Sequence, residues 1–200
     1  MDSCFTYQTF YRDVPPAAGE YWNKIVVYTD GASSRNGTIH AKAGIGVYFG
    51  PNDKRNLSEP LPGACQTSER AELYAIMRAI AKAGEAGVAG GGGKAVNSRA
   101  INICTDSLYS IKCMTLWYYK WQRNGWRTTG GQPVQNKDLI LKGRSLIKKL
   151  QGAVEFTHVR GHQGIEGNEQ ADRLAILGAQ QHYFGDFQKE EFSCAVFSMQ

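Results

Sequence analysis

Two stretches of this 200-residue chain end alike, and that repetition constrains the fold more than any other feature. Ile25–Ser34 reads IVVYTDGASS and Ile101–Ser107 reads INICTDS, each an apolar β-favouring run that closes on Thr-Asp. Such a run followed by a carboxylate and a small residue predicts a buried strand stopping at a tight turn, which puts Asp30 and Asp106 at strand ends. Strand ends and the loops beyond them line the ligand crevice of an α/β sheet. Two such strands side by side would therefore bring Asp30 and Asp106 into one cleft. For Asp30 alone, a turn-capping role before Gly31 explains the residue equally well.

The remaining pattern supplies a frame for that cleft. Ala43–Gly50 and Lys54–Glu59 are expected as second and third strands, joined through Gly50-Pro51-Asn52-Asp53 into an antiparallel meander. Thr67 or Ser68 then caps a helix whose apolar face is Ala71, Leu73, Ile76, Met77 and Ile80, with Glu72 in its first two turns. A glycine-rich stretch, 84–98, reads as a flexible loop before the fourth strand at Ala100–Thr105. A helical region runs from Ser107 to about Gln122, and a second from Asn136 to Leu150. Val154–Val159 is the fifth strand, and Asn168 is expected to cap a last helix ending near Ala179. Three strands, then helix, strand, helices, strand and helix predict a mixed sheet covered on both faces. Residues 1–22 and 182–200 read as tails around a domain at 23–181.

Composition narrows the class. No apolar run approaches the roughly 18 residues of a membrane span. Met1–Trp22 is polar, aromatic and acidic, unlike a signal peptide or a mitochondrial presequence. The expected setting is intracellular, nuclear or cytoplasmic, without membrane attachment. Five scattered cysteines offer neither finger spacing nor a paired framework, so free thiols are expected. A net charge of +5 and a pI near 8.9 favour a polyanionic partner.

The TDG at Asp30, the ERAEL at Glu72, the TDS at Asp106 and the run HVRGHQGIEGNEQADRLA from His158 to Ala175 together resemble the cellular type 1 ribonucleases H. The resemblance is continuous from about Ile25 to Ala179. It implies the ribonuclease H-like α/β fold: a five-stranded mixed sheet, three antiparallel strands then two parallel, with helices on both faces. It also implies a monomeric endonuclease that hydrolyses the RNA strand of RNA–DNA hybrids and leaves 5′-phosphate and 3′-hydroxyl ends. Two alternatives stay open, the ribonuclease H portion of a retroelement reverse transcriptase and a hybrid-binding module that does not cut.

Such hydrolysis needs a water activated at neutral pH and a counterweight for charge building on the phosphate, both of which two divalent ions supply. Mg²⁺, for which Mn²⁺ can substitute, favours carboxylate oxygens over imidazole or thiolate. Asp30, Glu72, Asp106 and Asp172 form the expected cage, with Asp30 placed to bridge both ions. Taken singly, Glu72 and Asp172 read first as solvated acids in early helical turns, and only the ordered set makes them ligands.

In the resembling family the histidine matching His162 assists leaving-group protonation or product release, a task suited to a group that titrates near neutrality. His158 is read as structural. The resemblance also places Thr67 and Asn136 on a DNA-strand phosphate, and Ser33, Asn36 and Ser68 toward the RNA. Here the chain departs from the family: Gln66-Thr67-Ser68 stands for a glutamine-threonine-asparagine run, and Cys65 replaces a frequent arginine. Trp117 and Trp121, four apart on one helix face, suit a core pair. Contact with the DNA strand is the reading favoured, because Lys112, Lys120, Arg123 and Arg127 surround them and the resembling family carries a basic, tryptophan-bearing protrusion in this place.

Overall fold

The computed structural model describes residues 11–12, 24–85, 100–150 and 154–181. In chain order the elements are β1 (Tyr11–Arg12), β2 (Lys24–Ser34), β3 (Lys42–Tyr48), β4 (Leu57–Pro60), α1 (Ser68–Glu85), β5 (Ala100–Thr105), α2 (Leu108–Lys112), a π-helical turn (Cys113–Trp117), α3 (Tyr118–Arg123), α4 (Lys137–Lys149), β6 (Val154–His158) and α5 (Glu166–Gln180). The sheet order is β1-β6-β5-β2-β3-β4. β2, β3 and β4 pair antiparallel, whereas β5 and β6 run parallel to β2. The five expected strands are thus present in the expected directions. The two-residue β1 adds a sixth, parallel to β6, within a segment that reads as a tail.

The core forms where β2, β5 and β6 meet α1 and α4. Val27, Ile103, Phe156, Leu73, Ile76, Ile80, Leu139 and Ile140 have essentially no exposed surface. Each such side chain taken from water contributes about 1.5–3 kcal/mol, so this cluster anchors the scaffold on which the polar residues sit.

Asp30 does not end its strand. β2 continues through Gly31 to Ser34, paired with β3 all the way, and Asp30 lies opposite Gly46. What ends near it is the parallel pairing with β5, whose last partners are Tyr28 and Cys104. Gly31 is therefore no turn residue; a methyl group there would overlap the backbone of Ala71 and Glu72, so its bareness lets α1 press against the strand. On the other face Gly44 and Gly46 do the same for α5, meeting the Ala179 and Ala171 backbones. Glycine within a strand here marks close approach rather than a break.

Other expectations shift for local reasons. The third strand begins at Leu57 instead of Lys54, because Arg55 forks back onto Asp53 at 2.6 and 2.9 Å and stacks 4.2 Å from Phe49, closing the turn. Helix α5 begins at Glu166 with Ile165 at the cap position, so Asn168 lies inside it, only 2% exposed. Helix Ser107–Gln122 is three pieces with a π-helical middle, where Arg144 Nη1 donates to the Met114 carbonyl at 3.0 Å. Cys104 and Cys113 are free thiols as expected, but Cys65 is disulfide-bonded. Of the glycine-rich loop, Gly84 and Glu85 are the last residues of α1; 86–99 lies outside the described residues, as do 1–10, 13–23 and 182–200. No helix among the described residues is long and apolar enough to cross a membrane.

Candidate active site

Asp30, Glu72 and Asp106 each present a carboxylate oxygen within 4.8 Å of the other two. Three features of the fold converge to place them: β2 carries Asp30 past the end of β5, α1 delivers Glu72 against Gly31, and the β5–α2 junction presents Asp106. The Gly31 N–H donates to Asp30 Oδ1 at 2.8 Å. Asp106 accepts from Asn168 Nδ2 at 3.3 Å through Oδ2, and the Asp106 carbonyl meets His158 Nε2 at 3.2 Å. Gly161 lies so near that a methyl group on it would collide with the Asp106 carboxylate.

The electrostatics are those of an anion cluster short of positive charge. Burial, offset in part by a hydrogen bond from Glu72 and reinforced by the charges of Asp106 and Asp172, raises Asp30 from 3.8 to about 6. Glu72 is held well above its ordinary range, first by burial, then by the Asp30 charge and by the proton it shares with Asp30. Glu72 Oε2 is nevertheless buried without a hydrogen-bond partner. An unmet acceptor, three convergent carboxylates and an all-oxygen donor set fit a hard divalent cation.

Asp172 stands outside the 4.8 Å set, half-buried on α5, though near enough for its charge to act on Asp30. Its approach is set by Gly46, the strand partner of Asp30, against which the preceding Ala171 packs. His162 is exposed on the β6–α5 loop with φ of 52°. Thr67 caps α1, its Oγ1 accepting from Arg70 N at 3.2 Å, and Ser68 opens the helix. Ser33 donates to the Gln66 carbonyl at 3.2 Å, and Asn36 is exposed on the β2–β3 turn.

Trp117 and Trp121 have ring centroids 5.5 Å apart, and Lys112 Nζ lies 5.8 Å from the Trp117 ring. Trp121 is 8% exposed and belongs to the core cluster, while Trp117 is half-buried. Both still border a groove of about 680 Å³ with Tyr109, Lys120, Val134 and Gln135, so the core and contact readings are not exclusive.

A family model described as RNase H matches residues 22–180. The chain belongs to the RNase H family. It is 42% identical over 157 residues to Ribonuclease H1 of Rattus norvegicus, covering 78% of this chain and 50% of that one. It is 44% identical over 154 residues to Ribonuclease H of Schizosaccharomyces pombe, covering 77% and 52%. The chain thus spans about half the length of these curated relatives, whereas it covers 97% of Ribonuclease H of Treponema denticola at 36% identity. Among solved RNase H structures, LC9-RNase H1, a type 1 RNase H with the type 2 active-site motif, aligns with a TM-score of 0.57 at 25% identity, covering 79% of this chain and 72% of that one. The solution structure of the PFV RNase H domain aligns with a TM-score of 0.56 at 25% identity, covering 78% and 93%.

Sequence reasoning missed Asn168 and Gly161 as supports of Asp106. Both lie in the run that carries the family resemblance, but their partner is more than fifty positions away, and only the fold reveals it.

Proposed function

We propose that this domain is an endonuclease that hydrolyses the RNA strand of RNA–DNA hybrids, leaving 5′-phosphate and 3′-hydroxyl ends. The observation that carries the reading is the convergence of Asp30, Glu72 and Asp106 around an unmet buried oxygen. Mg²⁺ ions held by these three carboxylates and Asp172, or Mn²⁺ in their place, would activate water and offset charge on the scissile phosphate. The chain's own part is to hold the carboxylates ready. Asp30, Glu72 and Asp106 lie close enough together to serve the same ions, and Glu72, whose proton is held by burial and by Asp30, would give it up on binding a cation. Asn168 and Gly161 keep Asp106 in place, and His162, on the loop next to Gly161, would assist by protonating the leaving group or by easing product release. Trp117, with Lys112 over its ring and Lys120 in the same groove, offers a stacking face and positive charge to the DNA strand.

All four carboxylates come from one chain, in keeping with action as a monomer. Identity of 42% to Ribonuclease H1 of Rattus norvegicus and 44% to Ribonuclease H of Schizosaccharomyces pombe favours a cellular enzyme over a retroelement fragment. The relatives' names and the intact carboxylates favour cutting over binding alone.

The deciding experiment offers end-labelled RNA–DNA, RNA–RNA and DNA–DNA duplexes of one sequence across a Mg²⁺ series and with EDTA. Cleavage of only the RNA strand of the hybrid, abolished by EDTA, is the expected result. Binding of the hybrid without cleavage at any Mg²⁺ concentration overturns the enzymatic reading. Within the same assay, Gly161→Ala is expected to lower turnover by about a hundredfold, because a displacement of about 1 Å at a reacting group costs that much. Its melting temperature should stay close to wild type, since the clash falls on a side chain at the rim of the site.

A further inference from the structure

Arg70 is only 6% exposed and lies on α1 two residues before Glu72, yet the carboxylate chemistry leaves it without a task. Its guanidinium forks onto Asp138 in the first turn of α4, with Nη1 3.1 Å from Oδ1 and Nη2 2.6 Å from Oδ2. Nη1 also donates to Asn136 Oδ1 at 3.2 Å. A guanidinium can only donate, so the carbonyl end of Asn136 must face Arg70 and its amino end must face away. That amino end points to the Tyr109 hydroxyl at 3.4 Å, on the wall of the groove shared by Trp117 and Gln135. Asn136 itself is held at φ 55° and ψ 23° at the entry to α4, and its side chain makes no cap bond with the helix. Its amide is thus spent on orientation rather than on finishing the helix.

We propose that Arg70 is a positioning residue that fixes the Asn136 amide with its donor end toward the groove, where a phosphate oxygen of the bound nucleic acid accepts from it. The assignment rests on the hybrid-cleaving reading above. Asp138 neutralises the guanidinium and keeps its fork in register, so the amide N–H that Asn136 does not give to Tyr109 is held in a fixed orientation at the amino-terminal, partly positive end of α4. Lysine in place of Arg70 would keep the charge but, as a point charge without a planar fork, would not hold Asp138 and Asn136 together.

The test is a double-mutant cycle in steady-state hybrid cleavage, with wild type, Arg70→Lys, Asn136→Ala and the double variant measured together. Each single change is expected to raise KM about tenfold, the worth of one hydrogen bond to a charged group, with kcat within about twofold. The double variant should be no worse than Asn136→Ala alone, because Arg70 then has nothing left to orient. Increases in KM that multiply, or a fall in kcat at unchanged KM, overturn the assignment. If Arg70→Lys does not fold, Asp138→Asn takes its place in the cycle with the same two outcomes, since it loosens the fork at a carboxylate 37% exposed. Wild-type cleavage in these runs upholds the proposed function whichever way the cycle falls, and its absence removes both.

Discussion

Asp30→Asn is expected to lose hybrid cleavage by about a thousandfold or more while becoming harder to unfold in the absence of divalent cations. The first effect follows from removing the carboxylate that faces both Glu72 and Asp106. The second follows from the cost of keeping that carboxylate buried. The folded value of about 6 exceeds the ordinary 3.8, so the folded state holds the proton more tightly than the unfolded chain. The stabilisation this brings is complete below about pH 4 and is lost as pH rises through about 6. Wild type without cation should therefore weaken between pH 4 and pH 7 by on the order of 2 kcal/mol, and the asparagine variant should be spared that loss. In melting curves the variant should stand about 5 °C above wild type at pH 7.5 in EDTA and nearly level with it at pH 4. Adding Mg²⁺ should raise the wild-type midpoint at pH 7.5, above the Asp30 value of about 6, and should do much less for the variant. Equal Mg²⁺ shifts in both proteins would remove Asp30 from the cation site.

Gly46→Val should be strongly damaging, although it adds a residue that strands favour. Gly46 faces Ala171, and a side chain there would overlap the Ala171 carbonyl oxygen and the Ala175 backbone. Those atoms belong to a helix and cannot rotate aside, so α5 must lift away. A loss of about 3 kcal/mol or more is expected, seen as a lower midpoint in denaturant. Activity should fall even in conditions where the variant remains folded, because lifting α5 carries Asp172 away from Asp30. If Gly46→Val retained both stability and turnover, the tight seat of α5 on β3 would not be what sets Asp172 in place.

These two cases show what the sequence made legible. Asp30, Glu72 and Asp106 were readable as a group because their motifs occur in family order, and the fold brings them within reach of one ion. The strands were readable because apolar β-formers such as Val27, Ile45 and Ile103 mark buried strands wherever they cluster. The roles of Gly31, Gly44 and Gly46 were not, since a strand glycine signals a turn or a close neighbour alike until the neighbour is known. The π-helical turn at Cys113–Trp117 was hidden because the apolar spacing that announces a helix does not fix which carbonyl each N–H meets. The Asp53–Arg55 fork, two residues apart, displaced a strand start that propensity alone put too early. The contacts of Arg70 with Asp138, and of Asn168 and Gly161 with Asp106, were not legible because each partner lies far along the chain, and local patterning carries no record of such pairs.

The two borders of the sheet differ in how they are closed to other chains. At one, Glu59 is tied to Arg78 at 2.7 Å, overlain by Gly178 of α5, and followed by Pro60, which lacks the donor another strand would need. At the other, among the described residues, the guard on β6 is the pair Tyr11–Arg12, which lies upstream of the segment matched by the family model. A shortened version that starts at the matched boundary would bare the open backbone of β6, inviting strand-to-strand association between molecules. Keeping those two residues, or placing a charge along β6, is the condition for handling the excised domain as a single soluble particle.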